Sequence, residues 1–264
     1  MTKFKFQIAG IIFLLAAIAA VSAIFFINRR YQPAVIDVPK IDNKKPVTAS
    51  TSPDTTNKQD PKPPILKPIP NTFLLSVPFT SQAPTANWDE LHNEACEEAS
   101  VIMAAEYFSG NESSTLTAAF VEKEITKLTE WQDNAFGYHL SIDTAETVKM
   151  IKEVYGLNAE ILENFDEETL KKTLTDGKLI IFPANGRLLG NPNFKSPGPI
   201  YHMLVIKGFT SQSFITNDPG TRKGQNYPYS FDVLYNANGD YSHETKEVDR
   251  NKKMVIAVWN VKRP

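Results

Sequence analysis

The sequence predicts an α+β domain with segregated elements behind an apolar N-terminal segment and a proline-rich linker. Three observations carry that expectation: helix-period patterns fill the first half of the globular region, β-rich runs fill the second, and composition changes sharply near residue 72. An alternating parallel α/β sheet would interleave the two kinds of pattern, and this chain does not.

Residues 1–30 hold an uncharged run from Ile8 to Ile27, with Lys3 and Lys5 before it and Arg29 and Arg30 after it. Twenty helical residues span roughly 30 Å, the thickness of a bilayer's hydrocarbon core. Val21-Ser22-Ala23 resembles a signal-peptide cleavage site, which makes a cleaved leader the competing reading. Ile24-Phe25-Phe26-Ile27 continues the apolar run past it, so the expectation is an uncleaved transmembrane anchor with the globular part outside the cytoplasm. Residues 31–72 contain nine of the chain's eighteen prolines and few large apolar side chains. Such a segment has too little to bury and is expected to serve as a disordered, extended spacer. Residues 73–264 then form the globular domain.

Charge divides the same way. Residues 1–72 carry ten Lys/Arg against four Asp, while residues 73–264 carry eighteen against twenty-six Asp/Glu. A globular region with net charge −8 argues against nucleic acid as its partner, because phosphate binding needs a basic face. The basic N-terminal portion is suited to a membrane surface instead.

Within the globular region, Phe73 to Phe79 is expected to be a strand or extended lead-in. Asn93 is placed as cap of a helix over 94–108 stopped by Gly110, and Ser114 begins a second helix to Leu128. Asp143 begins a third, ended by Gly156, and Asp166 to Asp176 makes a short fourth, closed by Gly177. Strands follow at 178–184, 201–209, 213–217, 227–235 and 254–260. The loop from Asn185 to Ile200, dense in Gly, Pro and Asn, has the length expected of a cleft wall or lid.

Cys96 is the single cysteine, which excludes an intramolecular disulfide and a multi-cysteine zinc site. It falls in the first turn of the predicted 94–108 helix, where free N–H groups and the helix dipole favour a thiolate. His202 opens a later strand, and Asp218 ends the next one before Pro219. A thiol, an imidazole to take its proton and a carboxylate to hold the imidazole's tautomer are the requirements of nucleophilic acyl transfer. Gln82 has a side-chain N–H that can serve an oxyanion hole together with the Cys96 backbone N–H. His92, His139 and His243 fit no metal spacing and are expected to be structural or at the surface, and no cofactor is implied. Trp88, Trp131 and Phe194 can line a cleft, but ordinary core or surface packing is the expected reading.

VPFTSQ (77–82), EACEEAS (94–100), YHMLVIKGF (201–209) and ITNDPG (215–220), in that order, resemble the C39-like peptidases of the papain-like superfamily. The resemblance spans about residues 73–264. It implies a papain-like fold, with Gln82 at the oxyanion hole, Cys96 as nucleophile, His202 as base and Asp218 as orienter. Glu97 stands where many members have glycine, and Glu94, Glu97 and Glu98 would oppose a thiolate unless they point to solvent or to other partners. The chain shows no ATP-binding or multispan region, unlike the bacteriocin-exporting branch. The implied activity is extracytoplasmic hydrolysis of a peptide or amide bond in a peptide or cell-envelope substrate. A catalytically silent domain that binds peptide or cell-wall material, and a Cys–His cell-wall amidase on a related fold, are the alternatives.

Overall fold

The computed structural model describes residues 68–260. The predicted anchor and most of the proline-rich linker lie outside the described residues. Among the described residues, no helix is long and apolar enough to cross a membrane.

The chain enters along β1 (Phe73–Leu74) and a buried extended stretch from Val77 to Ala83. Four helices follow: α1 (Glu90–Asn93), α2 (Cys96–Ser109), α3 (Ala118–Phe136) and α4 (Thr144–Tyr155). Strand β2 (Asn158–Glu163) and helix α5 (Glu167–Thr175) lead into β3 (Leu179–Ala184), β4 (His202–Phe209), β5 (Phe214–Asn217) and β6 (Tyr227–Tyr229). Helix α6 (Phe231–Ala237), the hairpin β7 (Asp240–Ser242) and β8 (Glu247–Asp249), and β9 (Met254–Trp259) complete the domain. The main sheet is antiparallel throughout, in the order β2-β9-β3-β4-β5-β6, with β1 added beside β4.

The sheet is covered on both faces, which explains why β3, β4 and β9 are written as unbroken apolar runs rather than as alternating ones. Leu179, Ile181, Met203, Val205, Ile256 and Val258 pack against α2, α3 and α4. Their neighbours Ile180, Phe182, Leu204, Ile206 and Val255 turn to the opposite face and meet Leu170 and Leu174 of α5 and Leu234 and Ala237 of α6. The two-residue period of a strand thus feeds two separate cores from one stretch of chain.

Several expectations need correction. Asn93 does not cap the Cys96 helix; its amide turns back to the carbonyls of Trp88 and Asp89 and closes α1, whose own cap is Asp89. Helix α2 starts at Cys96 behind Ala95, which offers no capping side chain. The second helix begins at Ala118 and runs on to Phe136, where Gly137 at φ 85° ends it. The run at 227–235 is a three-residue strand followed by a helix, because the Ser230 hydroxyl accepts the Val233 N–H and starts α6. Helices α4 and α5 fall where expected, α4 with a full capping box between Asp143 and Glu146.

One buried charge stands out on β4. Lys207 is only 4% exposed, and its ammonium donates to the Val77 carbonyl at 3.4 Å. Burial pushes its pKa down to about 8. Its charge therefore costs stability below pH 8, and the cost fades as pH rises from 8 toward the ordinary value of 10.5. Lys207→Met is expected to stabilise the protein at pH 7 by about 1–3 kcal/mol. Denaturant melts at pH 7 and pH 10 check this: the gain shrinks at the higher pH, and a destabilised variant at pH 7 contradicts it.

Candidate active site

The four residues singled out in the sequence come from four separate segments that converge at one end of the sheet. His202 is the first residue of β4, and Asp218 directly follows the neighbouring strand β5. The His202 Nε2 and Asp218 Oδ1 atoms lie 2.8 Å apart, with side chains 1% and 0% exposed. Asp218 Oδ1 also accepts the Gly220 N–H, while Oδ2 accepts the Tyr229 hydroxyl at 2.7 Å and the Asn191 amide at 3.1 Å. Burial alone would raise the Asp218 pKa, but the His202 imidazole and these hydrogen bonds outweigh it and hold the carboxyl below its usual value. An ionised Asp218 accepts the shared proton from Nε2, and in the neutral imidazole that tautomer leaves the Nδ1 lone pair free.

Asn217, one residue earlier, points the other way. Its amide donates to the carbonyls of Val77 and Pro78 and its oxygen accepts the Asn226 N–H. The adjacent side chains divide the labour: Asp218 serves the imidazole and Asn217 holds the extended segment that ends at Gln82. The Gln82 backbone N–H donates to Pro219 O at 2.9 Å, which fixes that segment against the Asp218 turn.

Gln82's side chain does not present a free N–H. Nε2 donates to the carbonyls of His92 at 2.8 Å and Asn93 at 3.0 Å, while Oε1 is buried with no partner among the described residues. An oxyanion role requires the amide to exchange these bonds.

Cys96 is buried at the first position of α2. Its Sγ–H donates to Glu97 Oε2 at 2.9 Å, and Sγ accepts the N–H of Met203, the residue after His202, at 3.4 Å. The sulfur thus lies against the backbone beside the imidazole, but shares no hydrogen bond with the ring. Burial pushes the thiol well above its ordinary pKa of 9.0, and Glu97 pushes it further. The helix start does not make a thiolate here, because the desolvation of a buried sulfur exceeds what a partial dipole charge returns.

The three surrounding glutamates each have a partner. Glu94 accepts the Ser141 hydroxyl, Glu98 accepts the Gln132 amide, and Glu97 also takes the Ile142 N–H. Burial and the Glu98 charge raise the Glu97 carboxyl well above 4.5, and burial brings Glu98 to about 7. Both therefore carry less negative charge near neutral pH than the sequence alone suggests.

Tyr229 and Asn191 had no sequence signal. They reach Asp218 only because β6 pairs with β5 and the 185–200 loop folds back. Phe194, on that loop, stands edge-on to the His202 ring at 5.3 Å between centroids. At Gly220 a Cβ would lie 2.8 Å from Phe194 and 2.9 Å from His202, so only glycine permits this packing. Trp88 and Phe194 do line a cleft, whereas Trp131 packs on Phe136 under Lys149. His92 is structural: its two nitrogens bridge Asp89 and Glu122, tying α1 to α3. Asp143, Glu146 and His243 bring their ligand atoms within 4.8 Å of one another, across about a hundred residues that local spacing does not see. These groups already engage each other through the α4 capping box and the Glu146–His243 bond at 2.8 Å.

A helix-start cysteine thus lies near a strand-start histidine and the buried aspartate bonded to it, on a mixed helix and antiparallel-sheet fold. The Peptidase_C39-like family matches residues 74–245, more than half of the chain, and the chain belongs to that family. Among solved structures, a C39-like peptidase from Bacillus anthracis is similar at 15% identity and a TM-score of 0.46, covering 72% of this chain and 98% of that one. No curated protein matches.

Proposed function

We propose that the domain hydrolyses peptide or amide bonds with Cys96 as nucleophile, His202 as acid–base and Asp218 as the residue that orients the imidazole. The observation that carries this reading is the buried His202–Asp218 pair with the Cys96 sulfur held on the very next backbone N–H. Family membership supports the same class of chemistry.

In this reading the resting site is a neutral thiol. Cys96 turns from Glu97 to the imidazole, and His202 Nδ1 takes its proton as sulfur attacks the carbonyl. The tetrahedral oxyanion collapses, the C–N bond breaks, and His202 returns the proton to the leaving amine. Water then gives a proton to His202 while its oxygen attacks the thioester, releasing the carboxylic product and the Cys96 thiol. Asp218 stays ionised throughout and stabilises the imidazolium.

Gln82 enters as oxyanion donor by giving up its bonds to the His92 and Asn93 carbonyls. Gln82→Ala is expected to lower kcat by about 100-fold with a smaller change in KM. A loss confined to thermal stability, with kcat intact, assigns Gln82 to anchoring α1 instead.

The apolar run at 8–27 and the linker to residue 72 suit a tether that holds this domain outside the cytoplasm. Full-length protein is then expected to sediment with membranes through high-salt and alkaline washes. Mature protein beginning near Ile24 would point to a cleaved leader.

A further inference from the structure

A cleft of about 970 Å³ opens between the end of α1, the 192–199 stretch and the turn at 220–223. It reaches the reacting residues through Phe194 and Gly220, both packed on His202, and through Glu94, two residues before Cys96. Its lining is partly aromatic, with Trp88 41% exposed and Phe194 half-buried.

The charge along this cleft runs against the rest of the domain. Residues 73–264 carry a net −8, yet Lys195, Arg222 and Lys223 all line it and are exposed. Lys127, Lys149, Lys171, Lys172 and Lys178 each meet a carboxylate within 3.0 Å, whereas Lys123, Lys152 and Lys246, also outside the cleft, have no ion pair among the described residues. Among the described residues, none of the three cleft cations has an ion-pair partner. Among the described residues Glu94 is the one carboxylate lining the cleft, and it accepts the Ser141 hydroxyl. Unpaired cations beside one exposed and one half-buried ring match a chain that brings both carboxylates and an apolar side chain. The chain's own 31–72 segment, with six lysines against four aspartates, offers no such complement.

We propose that this cleft selects acidic peptides, with Asp or Glu side chains meeting Lys195, Arg222 and Lys223 and a neighbouring apolar or aromatic residue packing on Trp88 and Phe194. The proposal rests on the reading of Cys96, His202 and Asp218 as an amide-hydrolysing site, since it names the substrate class of that site.

The test uses the full-length chain in nonionic detergent with Cys96→Ala, so that binding is read without turnover. The probes are fluorescein-labelled glycine–serine dodecapeptides containing Phe-Glu-Glu, Phe-Gln-Gln or Phe-Lys-Lys, followed by anisotropy. The acidic peptide is expected to bind about tenfold or more tighter than its amide counterpart, and less tightly as salt rises. The K195Q/R222Q/K223Q variant should erase that difference, and K195E/R222E/K223E should transfer the preference to the lysine peptide. Equal binding of all three peptides, no measurable binding, or a preference that survives the triple Gln variant overturns the proposal. Wild-type cleavage of the same peptides keeps the two readings apart. Acid-selective binding without thiol-dependent cleavage removes the hydrolase reading and leaves the acidic-ligand cleft standing. Cleavage indifferent to acidity does the reverse.

Discussion

Cys96→Ala is expected to remove the proposed thiol-dependent hydrolysis, by about 10⁴-fold or more, while the domain remains folded. Loss of the nucleophile is the largest single effect available to the proposed chemistry, and the chain contains no second cysteine to take its place. The structural cost is small by comparison. Only the sulfur is deleted, leaving Glu97 without one donor and the Met203 N–H without its acceptor. Together these cost about 1–3 kcal/mol, offset in part because Glu97 keeps the Ile142 N–H. Cys96→Ser retains the shape with a far poorer nucleophile and should be equally inactive. Steady-state rates on one amide substrate, with circular-dichroism melts of each variant, check both halves. Undiminished turnover in purified, folded Cys96→Ala would end the cysteine-hydrolase reading.

What the sequence revealed of this fold follows from where each signal is local. Asp143 and Asp166 announce α4 and α5 because a cap and the N–H it binds are three residues apart. The runs in β3, β4 and β9 are visible because both faces of those strands are buried. Strand β2 went unread because it lies at the sheet edge, where exposed Glu160 and Glu163 break the apolar pattern. The 227–235 run misled because aromatic residues suit either state, and the Ser230 cap within it decides for a helix. The same division holds at the site. Cys96, His202 and Asp218 were placed by order and flanking motif, which sequence preserves. The direction of the Cys96 S–H, the amide bonds of Gln82, and the hold of Tyr229 and Asn191 on Asp218 depend on strand pairing and rotamers, which it does not.

Asp218→Ala and Asn217→Ala are expected to fail in different ways, although the residues are adjacent. Asp218 is fully buried and is the acceptor that fixes the His202 tautomer. Without it the imidazole can carry its proton on Nδ1, the nitrogen that receives the thiol proton in the proposed chemistry, so kcat should fall by about 10²–10⁴. The alanine variant also strands the buried Tyr229 hydroxyl, at about 1–3 kcal/mol, and takes one acceptor from the Asn191 amide, which keeps its bond to Tyr229, and from the part-buried Gly220 N–H. Asp218→Asn keeps volume and an acceptor oxygen, and so separates lost chemistry from lost fold. Its pH behaviour is a second signature. The folded-state pKa of Asp218 is depressed, so its contribution to stability is present above the ordinary value of 3.8 and is lost as pH falls through the folded value. Asp218→Asn should therefore show a shallower loss of stability in acid than wild type. Asn217→Ala leaves the Val77 and Pro78 carbonyls without their shared donor and should cost about 1–3 kcal/mol of stability. Turnover per folded molecule should change little, since Asn217 touches no reacting group. Melting curves and kcat on one amide substrate, for all three variants, decide the assignment. A crippled but stable Asn217→Ala beside a fully active Asp218→Asn would transfer the orienting role and leave only the Cys96–His202 pair.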